Sequence, residues 1–327
     1  MFKAFRIHEQ HAGLEPLELA QLTPGEVVIR VHWSGINYKD ALAARGAAGH
    51  IVRRFPLVGG IDLSGVVESC SVPEYQPGDA VVVTGCGLSE LRDGGYAELA
   101  RVPADAVIPL PVGLSLRDAM AVGTAGFAAA LAITHMERNG LVPGTGPVAV
   151  TGASGGVGSV AIDMLAGRGY EVVAMTRKRD AGDFLNGLGA RAVLGAAAPG
   201  AATRPLERER WAGAIDNIGG AVLSELLRST RAGGSVAAVG LAGGAELNVS
   251  LMPFLLRGVH LLGVNSSGTA RAPRLAVWQR IATDLRPRCL DQLVTRCVSL
   301  AELPQAFEGY PEGRHRGRTL VRIHADA

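Results

Sequence analysis

The first part of the chain, up to residue 118, consists of short apolar runs separated by turn signals. The runs are rich in β-branched residues, and Pro-Gly, Gly-Gly and Asp-Gly-Gly sequences stand between them. This pattern is typical of a β-rich lobe, either a distorted barrel or a sandwich. The predicted strands are Phe2–His8, Val27–Trp33, Ser64–Val72, Ala80–Thr84 and Tyr96–Val102.

After residue 118 the pattern changes to strands that alternate with helices. Pro147–Thr151 is a short apolar run, and the apolar residues between Val157 and Leu165 recur at the spacing of one helix face. Further strands are predicted at Glu171–Met175, Ala192–Leu194, Ala212–Asp216, Ser235–Val239 and Val259–Val264, and further helices at Asp180–Gly189 and Ala221–Ser229. Repeated β-α-β units of this kind form a doubly wound parallel sheet. The Ala/Gly/Pro-rich stretch Gly195–Gly200 is predicted to be a loop.

The last part of the chain contains two predicted helices, Arg274–Leu285 and Leu300–Glu308, and a final strand, Thr319–Ile323. We expect this strand to return to the first lobe, which makes that lobe discontinuous. The predicted domains are therefore residues 1–118 with 266–327, and residues 119–265. The most apolar segment, from Ala119 to Ile133, is short for a bilayer span and contains Gly123 and Thr124.

Composition and charge narrow the class of protein. The chain has 327 residues, enough for two domains with cores of their own. Its 32 Lys and Arg residues nearly balance 30 Asp and Glu residues, so no basic field indicates nucleic acid or an anionic membrane. The four cysteines lack any Cys-x-x-Cys pair, which is typical of free thiols in a reducing compartment. With no apolar secretory segment at the N-terminus, we expect a cytoplasmic protein.

The strongest motif is the glycine-rich sequence Thr151-Gly152-Ala153-Ser154-Gly155-Gly156-Val157-Gly158, between an apolar strand and an amphipathic helix. In that context glycines let the backbone approach a diphosphate at the helix N-terminus, which predicts a dinucleotide cofactor. The motif also fits short-chain reductases, but those enzymes need a Tyr followed four residues later by Lys. No Tyr in this chain has that partner, and the loop lies mid-chain, so this alternative fails.

The choice of cofactor depends on the residues that follow the second strand of the dinucleotide fold. An acidic residue there binds the ribose hydroxyls of NAD, whereas a basic residue accepts the 2′-phosphate of NADP. The strand here ends in Thr176-Arg177-Lys178-Arg179, about 20 residues after Gly158. Cations at a helix start oppose the helix dipole, so a bound phosphate explains them better than a solvated face. We predict NADPH as the cofactor.

Several motifs together resemble the medium-chain dehydrogenase/reductase superfamily. They include Gly35-Ile36-Asn37-Tyr38-Lys39-Asp40, Gly59–Val67, Gly123-Thr124-Ala125-Gly126-Phe127, Asp216-Asn217-Ile218-Gly219-Gly220, Leu255–Val259, Trp278-Gln279-Arg280 and Gly317–Val321. The resemblance covers nearly the whole chain. It is to the zinc-independent branch and, within that branch, to the acryloyl-CoA reductase group, often described as quinone oxidoreductase-like. It implies an α/β fold with a GroES-like β-rich catalytic domain and a Rossmann domain with a doubly wound parallel sheet.

The zinc-binding members of that superfamily carry a Cys ligand where Asn37 stands here, and a His-Glu pair where Ile61-Asp62 stand. They also carry a four-cysteine lobe near residues 86–95, where this chain has a single cysteine. A tetrahedral zinc site cannot be assembled from these residues, so metal-free catalysis is predicted. A further departure is Asn265, which stands before Ser266 where the group carries Asp.

The resemblance implies NADPH-dependent reduction of the carbon–carbon double bond of a short α,β-unsaturated acyl-CoA. Such a reaction needs donors to the thioester oxygen and a proton for the α-carbon, and backbone N–H groups or the pair Asn37-Tyr38 are the candidates. Asp62 is expected either to orient these donors or to pair with Arg53 or Arg54, whereas Asp40 and Lys39 are expected to form a local cap and a surface charge. The predicted cofactor-binding residues are Asn37, Thr124, Ser154, Gly155, Gly156, Val157, Thr176, Arg177, Lys178, Asn217, Leu241, Val264, Ser266 and Arg318.

Two alternatives remain open from the sequence. An NADPH:quinone oxidoreductase would use the same cofactor but needs no proton donor for an α-carbon. A protein that keeps the cofactor fold without turnover would bind NADPH alone. In each case the expected partners are small molecules and a second copy of the chain, as a homodimer.

Overall fold

The computed structural model describes residues 1–195 and 204–324. These residues divide into two compact units by the density of their contacts. The first unit comprises the described residues of Met1–Thr124, Ser266–Ala282 and Val294–Ala327, and the second those of Ala125–Asn265 and Thr283–Leu293. The predicted division into domains at residues 118 and 265 stays a prediction. The loop predicted over Gly195–Gly200 lies, after Gly195, outside the described residues.

The described residues form strands, helices and short 3-10 turns in the following order. The strands are β1 (Phe2–Ile7), β2 (Ala12–Leu17), β3 (Val27–Ile36), β4 (Leu57–Val58), β5 (Asp62–Cys70), β6 (Ala80–Thr84), β7 (Leu99–Val102), β8 (Ile108–Pro109), β9 (Val148–Thr151), β10 (Val172–Thr176), β11 (Ala192–Gly195), β12 (Trp211–Asp216), β13 (Thr230–Ala238), β14 (His260–Gly263), β15 (Val294–Ser299) and β16 (Arg318–Arg322). The helices are α1 (Tyr38–Ala43), α2 (Leu116–Arg138), α3 (Gly156–Gly167), α4 (Gly182–Gly187), α5 (Gly220–Ser229), α6 (Met252–Arg257), α7 (Arg271–Ala282), α8 (Leu290–Leu293) and α9 (Leu303–Phe307). The 3-10 turns are Leu19–Gln21, Gly46–Gly49, Ala104–Ala106 and Leu300–Glu302.

The first unit is built from two β-sheets. A three-stranded antiparallel sheet has the order β2-β1-β4, and a larger sheet has the order β15-β16-β3-β5-β6-β8, with β7 paired to β3. β16 runs antiparallel to β3, with Thr319 opposite Ile36 and Leu320 opposite Gly35. The predicted return of the last strand to the first lobe is therefore confirmed.

The core of the larger sheet follows from the apolar pattern of its strands. Val27, Ile29 and Val31 alternate along β3 and are fully buried, as expected for residues on one face of a strand. They pack with Leu63 and Val67 of β5 in one hydrophobic cluster. This packing fixes the start of β5 and the end of β3, from which the polar residues described below project.

The second unit contains a six-stranded parallel sheet of the order β11-β10-β9-β12-β13-β14. This is the strand order of a dinucleotide-binding fold, in which the sheet grows to one side of β9 from β9 to β11 and to the other side from β12 to β14. Val148, Ala149 and Val150 of β9 are fully buried, as are Ala214 and Ile215 of β12. Because all six strands are parallel, their carboxyl ends lie along one edge of the sheet.

Three differences from the predicted elements have local physical reasons. Strands β2 and β15 were not predicted, because most of their residues are exposed or half-buried and form no apolar run. The predicted helix Leu300–Glu308 is a 3-10 turn followed by the short helix α9, with Pro304 in the first turn of α9. The predicted strand from Tyr96 begins only at Leu99, since Tyr96 lies in an irregular segment packed on Gly59 and Gly60.

Helix α2 includes the apolar segment Ala119–Ile133 and is interrupted at Gly123, where φ is 53° and ψ is −160°. In the part of the chain that the structure describes, α2 is the one helix with the length and apolar composition to cross a membrane. In its most apolar window, 89% of the residues are buried in the structure, as in a core helix.

Candidate active site and cofactor loop

Asp62 is the centre of a buried polar cluster in the first unit. It is the first residue of β5 and is fully buried. Its Oδ1 accepts a hydrogen bond from the backbone N–H of Gly35 at 3.1 Å, and its Oδ2 accepts one from the backbone N–H of Thr124 at 2.8 Å. These two hydrogen bonds fix the orientation of the buried carboxyl group.

Arg318 supplies the positive charge of this cluster. Its side chain is 1% exposed, and its Nη2 lies 3.9 Å from Oδ2 of Asp62. Its Nε donates to the carbonyl of Ala121 at 3.1 Å, and its Nη1 donates to Oδ1 of Asn37 at 3.0 Å. The sequence left open a pairing of Asp62 with Arg53 or Arg54, but both of these arginines are exposed and Arg318 is the cation beside Asp62.

Asn37 connects Asp62 to a second buried carboxyl, that of Asp40. The Nδ2 group of Asn37 donates to Oδ2 of Asp62 and to Oδ2 of Asp40, at 3.1 Å in each case. Asp40 also caps helix α1 by accepting the backbone N–H of Asn37 at 2.8 Å, and it accepts the N–H of Ile61 at 2.9 Å. The predicted local cap is therefore present, but its carboxyl is 1% exposed and belongs to the cluster.

The carboxyl groups of Asp40 and Asp62 differ in the charges that surround them. Burial and, to a smaller extent, the neighbouring charge of Asp62 together raise the pKa of Asp40 to about 7, against the opposing effect of the hydrogen bonds from Asn37 and Ile61. Two neighbouring carboxylates repel each other, so ionisation of both Asp40 and Asp62 is disfavoured. The single guanidinium of Arg318 compensates the charge of only one of these carboxylates. Asp40 therefore holds a proton up to near-neutral pH while Asp62 faces Arg318.

Tyr38 is the first residue of α1 and follows directly on Asn37. It is 39% exposed, and no hydrogen bond of its phenol is formed with any residue in the described ranges. Lys39, the next residue, forms an ion pair with Glu90, in agreement with the predicted surface charge. The buried cluster thus fixes the start of α1 and leaves the phenol of Tyr38 accessible.

In the second unit, most of the predicted cofactor-binding residues lie just after the carboxyl ends of five adjacent strands. Ser154 follows β9, Arg177 follows β10 and Asn217 follows β12, while Leu241 and Val264 follow β13 and β14. The oxygens of Ser154 and Thr176 are 3.3 Å apart, and the N–H of Lys178 donates to Oγ1 of Thr176 at 3.2 Å. This edge is where ligands bind in open α/β sheets.

A hydrogen-bond network joins β9 to β12 at the point where the strand order reverses. Oγ1 of Thr151 donates to Oδ1 of Asp216 at 2.6 Å and accepts the N–H of Asn217 at 3.0 Å. Nδ2 of Asn217 donates to the carbonyl of Thr151 at 2.8 Å, and the N–H of Gly219 donates to Asp216 at 2.7 Å. Burial raises the pKa of Asp216, and these hydrogen bonds oppose the shift. The network fixes the positions of Asn217 and of the glycine-rich loop.

The glycine-rich loop has the geometry that a diphosphate requires. Gly152 has φ of 57°, a left-handed conformation that favours glycine. A Cβ on Gly158 would lie 2.5 Å from the carbonyl oxygen of Gly152, so only glycine lets α3 approach the loop this closely. Gly155 precedes α3 with extended backbone and without a side-chain cap, which leaves the first N–H groups of this 12-residue helix available.

One buried oxygen of the second unit supports the fit of a cofactor. Within the described ranges, Oδ1 of Asn217 is buried and has no hydrogen-bond partner. Asn217 lies just after the carboxyl end of β12, at the edge where ligands bind in open α/β sheets, so this oxygen is available to accept a hydrogen bond from a cofactor. Arg177 is exposed at the end of β10, in the position that the 2′-phosphate of NADP would need.

Two other predicted residues have partners within the first unit. The carbonyl of Ser266 accepts a hydrogen bond from Nη2 of Arg274 at 3.1 Å. Arg318 is buried in the cluster around Asp62, where it orients Asn37. A contact of Arg318 or Ser266 with the cofactor stays a prediction.

Two protein-family models match the chain, the alcohol dehydrogenase GroES-like domain over residues 23–112 and the zinc-binding dehydrogenase over residues 156–282. The acrylyl-CoA reductase AcuI of Ruegeria pomeroyi is 48% identical over 96% of this chain and 95% of its own. The chain belongs to the medium-chain dehydrogenase/reductase superfamily, in its acryloyl-CoA reductase group. The predicted family and fold class, with a GroES-like domain and a Rossmann domain, are thereby confirmed.

Two further members of this superfamily are similar over nearly their whole length. The putative quinone oxidoreductase YhfP of Bacillus subtilis is 47% identical over 91% of this chain and 90% of its own. Its crystal structure with NAD bound has a TM-score of 0.94 and 43% identity over 98% of this chain and 99% of that chain. The yhdH oxidoreductase of Salmonella enterica, in complex with NADP, has a TM-score of 0.94 and 42% identity over 98% and 100% of the two chains.

The zinc positions of this superfamily are occupied here by residues of the buried cluster. Asn37 and Asp62 hydrogen-bond each other, and Ile61 donates its N–H to Asp40. Among the described residues, no group of three or more His, Cys, Asp or Glu side chains is placed to hold a metal ion. Metal-free catalysis stays a prediction.

The sequence motifs predict only a local cap for Asp40 and no separate role for Asp216. A signal for each was present in the sequence. Asp40 stands three residues after Asn37, the spacing of a capping box, and Asp216 ends an otherwise apolar strand, where a carboxyl is costly without partners. Each signal indicates a buried acid with fixed hydrogen-bond partners.

Proposed function

We propose that this protein catalyses the NADPH-dependent reduction of the carbon–carbon double bond of a short α,β-unsaturated acyl-CoA, such as acryloyl-CoA. The observation that carries the proposal is the accessible phenol of Tyr38, fixed at the start of α1 by the buried cluster of Asn37, Asp40, Asp62 and Arg318. The name of the Ruegeria pomeroyi relative supports the same substrate class.

The second unit holds the cofactor in this proposal. The N–H groups of Gly156 and Val157 bind the diphosphate, and Arg177 with Lys178 binds the 2′-phosphate of NADP. When bound, NADPH supplies the hydride that adds to the β-carbon of the thioester. The relative YhfP was crystallised with NAD, whereas the yhdH oxidoreductase of Salmonella enterica was crystallised with NADP, and the two cations of this chain favour NADPH.

The first unit supplies the donors in this proposal. Addition of hydride at the β-carbon places negative charge on the thioester oxygen, and the α-carbon then takes up a proton. The phenol of Tyr38 donates to that oxygen or delivers the proton, directly or through water. Asn37, Asp62 and Arg318 act as positioning residues, since their hydrogen bonds are made within the cluster and hold the chain at Tyr38.

A homodimer in the cytoplasm is part of the same proposal. A reductase that acts on small molecules needs neither a nucleic acid nor a membrane as a partner. The domain assignment, residues 1–118 with 266–327 for catalysis and 119–265 for NADPH, is proposed with it. Sedimentation equilibrium of the purified protein tests the dimer, and a monomer at micromolar concentration would contradict it.

The second candidate function is NADPH:quinone reduction, which the name of the Bacillus subtilis relative favours. Parallel assays of NADPH oxidation with acryloyl-CoA, crotonyl-CoA and benzoquinone, on chelator-treated enzyme, separate the two. We expect acryloyl-CoA to give the highest kcat/KM. A quinone that wins by a wide margin would overturn the proposal, and the absence of turnover with every substrate would favour a protein that only binds NADPH.

A further inference from the structure

A group of exposed cations lies next to helix α1 in the first unit. Lys39, Arg53, Arg54 and Arg92 are all exposed, and we call these four residues the basic patch. Glu90 brings three of them together, because its carboxylate pairs with Lys39, its carbonyl accepts the N–H of Arg53 at 2.9 Å, and Arg92 is two residues away in the same turn. The local charge is strongly positive in a chain whose net charge is only +2.

The arginines of the basic patch differ from most arginines of the first unit. Arg6, Arg30 and Arg318 each have a carboxylate within 4.0 Å, and Arg271 and Arg274 donate to backbone carbonyls. The side chains of Arg53, Arg54 and Arg92 form neither an ion pair nor a hydrogen bond with the residues that the structure describes. Adjacent unpaired cations repel one another, so an anionic ligand would stabilise them.

The backbone under these side chains is held in place by packing. Val52, the residue before Arg53, is buried in a core cluster of the first unit. Ala47 donates its N–H to the carbonyl of Glu9 at 2.9 Å, and Gly46 has φ of 62°, where an added Cβ would lie 2.6 Å from the carbonyl oxygen of His8. The cations therefore project from a fixed segment rather than from a loose loop, which lowers the entropic cost of binding an anion.

The chemistry of the proposed substrate, together with the presence of the basic patch in the same unit as Tyr38, indicates which anion the patch takes. Lys39 follows Tyr38 in the chain, so the patch begins one residue after the phenol that we propose for the reaction. A coenzyme A thioester carries its reactive group at one end of a pantetheine arm and a 3′-phosphate and a diphosphate at the other end. Arginine binds phosphate groups through paired, charge-assisted hydrogen bonds.

We propose that the basic patch binds the phosphate groups of the coenzyme A moiety of the substrate. This inference rests on the proposed function, since it concerns the same reaction, and it distinguishes a coenzyme A thioester from a quinone. In this role Arg53, Arg54 and Arg92 contribute to substrate binding and not to the chemical step.

The test compares substrates with and without the phosphate groups. Acryloyl-CoA and acryloyl-pantetheine share the reacting thioester, but only the first carries phosphates. For the double variant Arg53→Gln/Arg54→Gln we expect KM for acryloyl-CoA to rise roughly tenfold or more, with kcat and the kinetics of acryloyl-pantetheine unchanged. The matched control is Arg204→Gln/Arg208→Gln, which removes the same charge from exposed arginines of the second unit and leaves both substrates unaffected.

Three outcomes would overturn the inference. One is an equal change for both thioesters, another is an effect no larger than that of the control, and the third is a rise in KM for NADPH instead. Arg53→Lys/Arg54→Lys keeps the charge and is expected to restore part of the loss, which separates a binding role from a change in folding.

A binding measurement keeps the inference independent of turnover. Titration calorimetry with free coenzyme A and with adenosine 3′,5′-bisphosphate is expected to give a dissociation constant at least about tenfold weaker for the Gln variant than for the unmodified protein. If the unmodified protein reduces neither thioester, the proposed function fails, and equal calorimetric affinities for the two proteins would separately contradict the inference.

Discussion

Asp40 and Asp62 show how the surroundings of two identical side chains give them different charges. Both are buried, and both accept a hydrogen bond from the same amide group of Asn37. Only Asp62 has a guanidinium beside it, that of Arg318. Ionising both carboxyls would leave one buried charge uncompensated, so we infer that Asp40 retains its proton up to near-neutral pH.

The first prediction concerns the pH dependence of stability. The pKa of Asp40 is about 7 in the folded protein against an ordinary value of 3.8, so the folded state binds the additional proton between these limits. Asp40 therefore lowers the free energy of unfolding as pH rises from about 4 to about 7, by up to about 1.4 kcal/mol per pH unit. Asp40→Asn is expected to remove this dependence of the free energy of unfolding on pH. At low pH the variant is expected to be less stable by about 1–3 kcal/mol, because a hydrogen-bond acceptor is lost.

Urea unfolding of the unmodified protein and of the Asp40→Asn variant between pH 4 and pH 7.5 checks this prediction. All other titrating groups are common to the two proteins, so a difference between their pH dependences comes from Asp40. Equal slopes in the unmodified protein and in the variant would show that Asp40 is ionised throughout.

The second prediction concerns Tyr38. Tyr38→Phe removes only the hydroxyl from a residue that is 39% exposed, so folding is expected to be unchanged. We expect kcat with acryloyl-CoA to fall roughly 10²-fold, because a general acid or hydrogen-bond donor is lost, while KM and the dissociation constant of NADPH stay within about twofold. Steady-state kinetics with a fluorescence titration of NADPH measure both effects. A variant with unchanged kcat would exclude the phenol from the reaction.

The third prediction concerns Arg177, which is exposed directly after β10. Arg177→Ala is expected to weaken NADPH binding about tenfold or more and NADH binding by less than about twofold, because only NADPH carries the 2′-phosphate. Arg179→Ala, two residues further on, removes the same charge and serves as the control. Equal losses for the two cofactors would place the 2′-phosphate elsewhere.

At the scale of elements, the parts that the sequence predicts best are those with local signals. The strand β9, the glycine-rich loop and helix α3 follow from an apolar run, a glycine spacing and a helical period within about twenty residues. The edge strands β2 and β15 lack such a signal, because edge positions bury few side chains. The break in α2 at Gly123 also could not be predicted, since the atoms that leave no room for a Cβ there belong to Arg318 and Asp62, far away in the sequence.

The fourth prediction concerns this break in α2. A Cβ on Gly123 would lie 2.5 Å from Nη2 of Arg318 and 2.7 Å from Oδ2 of Asp62, at a backbone conformation that side chains rarely adopt. Gly123→Ala is therefore expected to lower the free energy of unfolding by about 3 kcal/mol or more. Gly140→Ala is the control, since Gly140 has φ of 92° with no atom within 4 Å of the added Cβ, and strain alone predicts about 1–3 kcal/mol.

Chemical denaturation measures the two losses. A larger loss for Gly123→Ala, accompanied by lower activity, would support crowding of the Asp62–Arg318 pair. Equal losses would show that backbone strain accounts for both substitutions.

At the scale of the whole molecule, the order of the lobes follows from the change of pattern near residue 118 and from the apolar last strand. The site was predicted in part: Asn37, Tyr38 and Asp62 were chosen by their place in a motif. The roles of these residues were beyond the sequence, because Arg318 reaches Asn37 across 281 positions and no local pattern encodes that contact. Long-range hydrogen bonds of this kind are formed by the fold.

The most direct test of the proposed reaction is to follow isotopes into the product. NADPH with deuterium at the transferred C4 position, incubated with acryloyl-CoA, is expected to give propionyl-CoA with one deuterium at the β-carbon. Unlabelled NADPH in heavy water is expected to place one deuterium at the α-carbon instead. Mass spectrometry and NMR of the product distinguish the two positions. The absence of propionyl-CoA while benzoquinone consumes NADPH, or a cofactor deuterium at the α-carbon, would contradict the account.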